Sequence, residues 1–360
     1  MVLEIREIRS RGEFDLTDKE WNEVLRTSGE DDVFLRREWL SAWWDTYGRG
    51  REMLVLEVLD RDRVVGYAPF AISGRRLSTS KTVELIGSGP SDRCAILAEQ
   101  GRADVHTVIW EHMMRREGWD TIDLRDTRED CPTAINAARI FPSAELETNV
   151  SPYVTIAGTY EEYFRVLEKK NRHSLQRCWR RLSEKHDVTF GIRKPKDAKD
   201  DEFREFMRLG KARWEGTGTD SVLGYPDMVR FVERAVAGLA KDGIPTLHYL
   251  KEGDRTIAIG LGFEYLQRYL CYLSGFDPEF STYSPGSLLV GKVIEMCHQR
   301  GLKEVDLLRG AEAYKYRFNA VDRNLVRFRI SRARPERGLL GRIARKSGNR
   351  GSDPLRAGKS

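Results

Sequence analysis

Polar side chains that could perform acid–base chemistry lie towards the C-terminal end of the chain. Asp306 lies near the end of a predicted strand, residues 304–308. Glu312, Tyr314 and Lys315 follow in a polar segment. A carboxylate that leaves a strand into a loop is a common position for a catalytic or positioning group. There Glu312 could act as a base, Tyr314 could donate a proton to a leaving group, and Lys315 could neutralise an anion. The spacing alone favours a plainer structure, a solvent-exposed helix end with a Glu312–Lys315 ion pair.

A second candidate site precedes this segment. A predicted strand, residues 269–274, runs through a loop into a helix that is predicted to start at Pro285. Proline suits a first helical turn because it lacks a backbone donor that would be unsatisfied there. The N–H groups and the dipole of a helix N-terminus favour an anion, so a phosphate site is one interpretation and an ordinary helix start is the other. The segment contains Ser284, Pro285, Gly286, Ser287, Leu288 and Leu289.

The surrounding pattern predicts a mixed α/β protein with a duplicated unit. Gly118-x-x-x-Ile122-Asp123-Leu124 matches Gly301-x-x-x-Val305-Asp306-Leu307, and each follows a predicted helix that ends in arginine. In both halves a predicted hairpin precedes that helix. The alternative to duplication is coincidence, but the shared order of elements favours a repeat. We expect an N-terminal unit over residues 1–150, a C-terminal catalytic unit over 151–332, and a basic, disordered tail over 333–360.

Individual elements follow from periodicity and turn residues. An aromatic-rich helix is predicted over residues 36–47, and a capping box at Thr159–Glu162 predicts the start of a single basic helix that continues to about His186. Residues 126–151 read as a loop-like stretch. The basic helix carries eight Lys or Arg residues within 21 positions, Arg172 and Arg177 among them. Such a strip fits either a solvated face or a phosphate-binding surface.

The length and the charge of the chain limit its domain number, its location and its partners. A chain of 360 residues exceeds what one core usually supports, which favours two domains. The formal net charge of +5 divides into +7 for residues 331–360 and −2 for the rest. No apolar run has the length of a membrane span, and the five cysteines are widely spaced. We therefore expect a cytoplasmic protein without a metal site, whose tail makes at most weak contact with anionic membrane lipids.

Four segments in order resemble the GNAT-like acyltransferases of the CelD/FemAB-related group, of the type described as involved in cellulose biosynthesis. The resemblance covers roughly residues 30–330. The matching residues are Phe34-x-x-x-x-Trp39-Leu40-x-x-Trp43-Trp44, then Lys170-Asn171-Arg172-x-x-Leu175-x-Arg177, then Gly275-Phe276-Asp277-Pro278 with Ser284-Pro285-Gly286-x-Leu288-Leu289, and Asp306-Leu307-Leu308-Arg309-Gly310-x-Glu312-x-Tyr314-Lys315. The resemblance implies two tandem GNAT-type units, each a central mixed sheet flanked by helices.

The resemblance also implies transfer of an acetyl or other acyl group from acyl-CoA to an amine or hydroxyl, without a metal. The pantetheine arm would lie between two splayed strands, and residues 284–289 would hold the pyrophosphate. The family's [QR]-x-x-G-x-[GA] form of that loop is absent here, which leaves the donor open. Tyr314 would be the acid towards the thiolate, with Glu312, Asp306 and Lys315 as further catalytic candidates. The candidates for contact with the acceptor are Arg172, Arg177, Asp277 and Asp92.

The acceptor implied is a small molecule or a glycan of surface polysaccharide or envelope metabolism. Two other functions remain open. One keeps the fold and takes aminoacyl-tRNA as donor, as Fem-type enzymes do, although the long helical hairpin insertion of some of those enzymes is missing between residues 192 and 244. The other is a nucleic-acid-binding or scaffolding protein that uses the basic helix and tail. The slightly acidic body makes a stable nucleic-acid complex the weaker expectation.

Overall fold

The computed structural model describes residues 3–74, 80–197, 200–212 and 221–332. The predicted tail, residues 333–360, therefore lies outside the described residues. The elements of the first half are β1 (Leu3–Ile8), α1 (Arg11–Asp15), α2 (Asp18–Thr27), α3 (Arg37–Tyr47), β2 (Arg51–Asp60), β3 (Arg63–Gly74), β4 (Lys81–Leu85), β5 (Leu97–Ala98), α4 (Ala103–Arg115), β6 (Thr121–Arg128), α5 (Pro132–Ile140) and β7 (Glu145–Thr155).

A helical segment follows β7 and leads into the second half. The elements here are α6 (Tyr160–Val166), α7 (Lys169–Ser183), β8 (Val188–Arg193), α8 (Asp201–Ala212), α9 (Pro226–Leu239), β9 (Pro245–Glu252), β10 (Arg255–Tyr265), β11 (Arg268–Phe276), α10 (Pro285–Gln299), β12 (Glu304–Asp306), α11 (Ala313–Tyr316) and β13 (Val321–Ser331). None of the described helices combines the length and the apolar character that a membrane-spanning helix needs.

All thirteen strands of the described residues join in one sheet, and the strand order of one half mirrors that of the other. The strand order is β1-β2-β3-β4-β6-β13-β7-β12-β11-β10-β9-β8, with β5 paired to β3. Each half has four consecutive antiparallel strands and then one parallel neighbour, β4 with β6 and β11 with β12. The repeated Asp123 and Asp306 lie at matching positions on β6 and β12. The prediction of a mixed α/β fold built from two related units is confirmed.

The repeats exchange their last strands. β7 follows the first repeat in the chain but pairs with β12 of the second, whereas β13 ends the second repeat and pairs with β6 of the first. β7 and β13 also pair with each other at the centre of the sheet. The predicted boundary at residue 150 falls within β7, and α6 and α7 connect the two repeats.

The aromatic helix α3 joins the repeats on one face of the sheet. It packs against α9, where Trp39 and Phe231 have ring centroids 4.8 Å apart. The indole N–H of Trp39 donates to Ser91 Oγ at 2.8 Å, and that of Trp43 donates to the Ser88 carbonyl at 3.0 Å. The predicted helix over residues 36–47 is thus confirmed, and the indoles of Trp39 and Trp43 hold the loop that follows β4.

Two predictions about local structure were wrong. Residues 126–151 contain α5 and most of β7 instead of a loop. The first part of β7 escaped prediction because it is solvent-exposed and lacks an alternating apolar pattern, whereas the sequence does predict a strand over residues 153–156 at its end. The basic helix is two helices, α6 and α7, separated by Leu167 and Glu168, whose backbone is not helical. No proline or glycine marks this break. Arg172 stabilises it by donating to the carbonyls of Arg165 and Leu167.

Candidate active site

An opening in the sheet lies where β11 and β12 diverge. The two strands pair in parallel only through Arg268–Leu270 of β11, after which β12 ends at Asp306 while β11 continues to Phe276. Just beyond this point, Tyr272 is an extra residue in β11, because Leu261 of β10 pairs with Leu273 and Gly262 pairs with Cys271. A bulge of this kind bends a strand and is common next to active sites. The sheet is therefore split here, between Cys271 and the residues that follow Asp306.

A cleft of about 940 Å³ occupies this opening and is lined from both faces of the sheet. On the face that carries α3 and α9, its walls include Trp43, Tyr47, Met228 and Tyr272. On the face that carries α10, they include Cys271 and Val290. A ligand in the cleft could thus be approached from two sides, as transfer between two substrates requires.

The first turn of α10 forms part of the cleft wall. Gly286 and Leu289 line the cleft, and a Cβ atom added to Gly286 would meet only Phe276 Cδ1 at 3.9 Å, so the position is open. Ser284, Ser287 and Leu288 instead border a separate cavity of only about 20 Å³ against α7. Pro285 is buried in the first turn. Of the six residues predicted here, two reach the cleft.

The loop after β12 is fixed by Lys315. Its ammonium donates to the carbonyls of Leu308 at 2.8 Å, Arg309 at 2.8 Å and Gly310 at 3.0 Å, and it pairs with Glu312 at 2.8 Å. The residue is 2% exposed. Lys315 therefore holds the loop, instead of meeting an anionic ligand as the sequence suggested. Glu312 and Tyr314 line the cleft beside it, and the Glu312 carboxylate is half-exposed.

Asp306 is fully buried and outside the cleft wall. It accepts from Arg93 and Arg323, and its other carboxylate oxygen accepts from the backbone N–H of Leu308 at 2.8 Å. Burial would raise the pKa of Asp306, but the two guanidinium groups hold it below its usual range. Asp306 is thus a buried positioning group paired with two guanidinium groups at the end of β12, and the proton-transfer role considered from the sequence does not fit this location.

Asp92 has a different environment. It follows the glycine-rich loop after β4, lines the cleft and is 9% exposed. Its charged contact is with Arg309, whose Nε lies 3.3 Å from Oδ1, but Arg309 also binds Asp126 and the Gly89 carbonyl. Burial raises the pKa of Asp92 to about 7, although Arg309 and Arg93 oppose the shift. Asp92 is therefore a cleft-facing carboxyl that can change protonation near neutral pH.

The three other predicted acceptor contacts do not reach the cleft. Arg172 donates to the Arg165 carbonyl at the break between α6 and α7. Arg177 is exposed on α7. Asp277 accepts from the backbone N–H of Glu279 at 3.1 Å and pairs with Arg255 at 2.6 Å, so it stabilises the turn before α10. The structure brings together Asp92, Gly286, Leu289, Glu312, Tyr314 and Lys315, and it leaves the other candidates elsewhere.

Several cleft residues were not identified as site residues from the sequence. Trp43 and Tyr47 belong to the predicted aromatic-rich helix, and Trp43 and Arg309 are also part of the family pattern, but the sequence assigns none of them to the site. Tyr272 donates to the Pro90 carbonyl at 2.9 Å, which ties the bulge to the loop that carries Asp92. Nothing local in the sequence indicates this contact, because its partners are 182 positions apart.

The residues present fit an acyl-CoA donor. The splayed strands and the bulge border the cleft, and the open backbone at Gly286 lies in its wall at a helix N-terminus, which favours phosphate. Among the residues that the structure describes, no group of three or more His, Cys, Asp or Glu side chains is arranged to hold a metal ion.

Comparison with known proteins agrees with this architecture. Residues 169–316 match the family described as acetyltransferase (GNAT) domain. A search of curated protein sequences gave no match. The matched residues run from the start of α7 to the end of α11. The narrower resemblance to the CelD/FemAB-related group stays a prediction.

Solved structures extend the similarity to the whole chain. FemX superposes with a TM-score of 0.61 at 10% identity, covering 90% of this chain and 96% of that one. A tandem GNAT protein from the clavulanic acid biosynthesis pathway gives 0.50 at 12% identity, covering 93% and 100%. The C-terminal domain of a putative lysylphosphatidylglycerol synthetase from Agrobacterium fabrum gives 0.50 at 9% identity, covering 88% and 92%. At such identities these likenesses show the fold, which is that of tandem GNAT proteins.

Proposed function

We propose that the protein transfers an acetyl or other acyl group from acyl-CoA to an amine or hydroxyl acceptor. The observation that carries this proposal is the cleft through the split between β11 and β12, with Gly286 of α10 on one side and Asp92 on the other. The resemblance seen in the sequence supports a glycan or small-molecule acceptor of surface polysaccharide or envelope metabolism. The charged, partly exposed loops around the cleft agree with a polar acceptor.

The donor would lie along β11 and the first turns of α10. Gly286 would allow the pyrophosphate to approach the backbone of the first turn, while Leu289 and Val290 would contact the pantetheine arm. Backbone groups of Cys271 and Tyr272 lie beyond the last pair with β12, so they are candidates to hold the thioester oxygen. Bound acyl-CoA supplies an activated acyl carbonyl. The protein supplies alignment and proton transfer.

Two side chains of the cleft wall would carry the proton transfers. Asp92 would take the proton that the acceptor loses as the new bond forms to the acyl carbon. Tyr314 would give a proton to the sulfur as the C–S bond breaks. A carboxyl with a pKa near 7 suits a general base at neutral pH, because it is partly ionised and still basic enough to accept a proton.

A second candidate keeps the same cleft but takes an aminoacyl-tRNA as donor. The observation in its favour is the exposed basic face of α7. The helix itself packs against the turn before α10, where the guanidinium carbon of Arg181 lies 5.6 Å from the ring centroid of Tyr283. The exposed cations of α7 are Lys169, Lys170, Arg177, Arg180 and Arg181, and Lys185 follows just after the helix. A polyanion bound there would lie beside the donor end of the cleft.

Binding measurements separate these candidates. Acyl-CoA donors should bind saturably at micromolar to millimolar concentration, and tRNA should bind no better than duplex DNA. Saturable binding of tRNA without binding of acyl-CoA would favour the aminoacyl transferase. Duplex DNA or tRNA that remains bound at physiological salt after removal of residues 333–360 would favour the nucleic-acid-binding alternative.

A further inference from the structure

One arginine lies between the two repeats beside the proposed base. Arg309 follows β12 in the second repeat, and its guanidinium contacts three residues of the first repeat. Nε lies 3.3 Å from Asp92 Oδ1, Nη1 pairs with the carboxylate of Asp126, and Nη2 donates to the Gly89 carbonyl at 3.0 Å. Lys315 fixes the main chain of Arg309 by donating to its carbonyl at 2.8 Å. The guanidinium is therefore anchored in its own loop and reaches across to the loop that carries Asp92.

The two carboxylates that share this guanidinium lie in the walls of different cavities. Arg309 and Gly89 line both the cleft and a second cavity of about 360 Å³. Of these two cavities, Asp92 lines the cleft and Asp126 lines the second. Both side chains are largely buried, with 13% of Asp92 and 11% of Asp126 exposed. A change at Asp126 would therefore act on Asp92 through charge, and not through contact with a ligand in the cleft.

The position of Asp126 depends on a bulge in β6. There two residues of β6, Arg125 and Asp126, lie opposite the single residue Arg327 of β13. The backbone of Asp126 has a φ of 53°, in the left-handed region that is costly for a residue with a side chain. A bulge of this kind redirects the side chain that it carries. The Asp126 carbonyl also accepts from the backbone N–H of Cys94 at 2.9 Å, two residues after Asp92. A strained backbone thus brings the Asp126 carboxylate to the shared guanidinium.

The groups around Asp92 act on it in opposite directions. The charged and titratable groups that face its carboxyl are Arg309, Arg93, Asp126, Asp306 and the Tyr272 hydroxyl. Burial raises the pKa of Asp92 most, the two carboxylates raise it further, and the two guanidinium groups lower it. Burial also raises the pKa of Tyr272 well above its usual value, so this hydroxyl stays neutral. Arg93 and Asp306 pair with each other, which leaves Arg309 and Asp126 as the pair of charges centred on Asp92.

We propose that Arg309 is a positioning residue for Asp92, and that Asp126 limits how much of the positive charge of Arg309 acts on Asp92. The inference rests on the proposed function, in which Asp92 is the base, and adds the two residues that decide when this base is ionised. Without Arg309, Asp92 would keep its proton to higher pH. Without the charge of Asp126, the guanidinium would act on Asp92 alone, so Asp92 would ionise at lower pH. The two changes therefore have opposite effects, which a general loss of structure would not produce.

The test measures the pKa of Asp92 by NMR titration of the full chain, labelled with carbon-13 at the aspartate carboxyls. The Asp92 signal is the one that is missing in Asp92→Asn. The variants are Arg309→Gln, Arg309→Lys and Asp126→Asn. Arg125→Gln is the matched control, because Arg125 precedes Asp126 in the chain but pairs with Asp123. Melting curves confirm that each variant is folded, and the rate of CoA release is recorded against pH for each protein.

We expect Arg309→Gln to raise the pKa of Asp92 by about 1 to 3 pH units and Asp126→Asn to lower it by about 1 pH unit, as neighbouring charges usually do. Arg309→Lys should lie closer to wild type because it keeps the charge, and Arg125→Gln should match wild type. An unchanged pKa in Arg309→Gln or in Asp126→Asn, or shifts in the same direction, would overturn the inference. The pH at which CoA release rises should move with the pKa. If the pKa shifts as expected and the rate profile does not follow, Asp92 is not the base, and the roles of Arg309 and Asp126 towards Asp92 stand.

Discussion

The guanidinium of Arg93, in the first repeat, donates through both Nη1 and Nη2 to one carboxylate oxygen of Asp306, in the second, at 2.7 and 2.6 Å. Both side chains are buried. Arg93 also pairs with Asp32 through Nε at 3.0 Å, and Arg323 of the exchanged strand β13 reaches Asp306 at 2.9 Å. This network joins both repeats at the base of the loop that carries Arg309 and Glu312. It therefore couples the shape of the cleft to the packing of the halves.

Removing Arg93 should destabilise the protein strongly. Arg93→Met leaves Asp306 and Asp32 buried with fewer partners, and breaking a buried ion pair in this way costs about 3–5 kcal/mol. Urea unfolding followed by tryptophan fluorescence measures the change. Arg115→Met is the control, because Arg115 makes an exposed pair with Glu111 and its loss should cost no more than about 0.5 kcal/mol. Similar losses in the two variants would refute the structural role assigned to the buried network.

The pH dependence of wild type and Asp92→Asn should differ around neutrality. Because the folded-state pKa of Asp92 is raised to about 7, the folded protein binds an extra proton between about pH 4 and 7 relative to the unfolded chain. Its contribution to the free energy of unfolding is therefore present at low pH and is lost as the pH rises through 7. Asp92→Asn should show a smaller decline over this range in urea titrations at a series of pH values.

The ionisation of Asp92 should also govern the rate of acyl transfer. The rate of CoA release should rise through about pH 7 in wild type as Asp92 ionises, and this rise should be missing in Asp92→Asn. Asp227→Asn changes another cleft carboxylate that is exposed, so it should keep the wild-type profile. A profile of Asp92→Asn that still rises near pH 7 would assign the proton transfer to another group.

Tyr314 and Glu312 should contribute unequally to transfer. We expect Tyr314→Phe to lower kcat by about 100-fold, the lower end of general acid catalysis, with donor affinity unchanged. Glu312→Gln should lower it less than tenfold, because this half-exposed carboxylate pairs with Lys315 and Asp92 is the proposed base. Release of free CoA from the preferred acyl-CoA gives both rates. If both variants kept the wild-type rate, the assignment of this loop to the chemistry would be wrong.

The repeat and the main elements were predictable because they rest on local patterns. The matched segments around Asp123 and Asp306 correctly indicated two related units, and the helix that begins at Pro285 lies where the sequence places it. The exchange of β7 and β13 was not predictable, since an exposed strand such as β7 is defined by its partner and not by its own apolar pattern. The position of Asp306 at the end of a strand suggested a chemical role. Nothing in the sequence indicated that Arg93, which is far away in the chain, is its buried partner.

Donor binding by Gly286 variants tests the central claim most directly. Position 286 has room for a side chain, so Gly286→Asp and Gly286→Asn should both fold, and they differ mainly in charge. In calorimetric titrations with acetyl-CoA and butyryl-CoA, we predict saturable binding by wild type, a loss of at least tenfold in Gly286→Asp and a smaller loss in Gly286→Asn. Equal affinity in wild type and Gly286→Asp, or no binding of either donor by the wild-type protein, would contradict an acyl-CoA site at the first turn of α10.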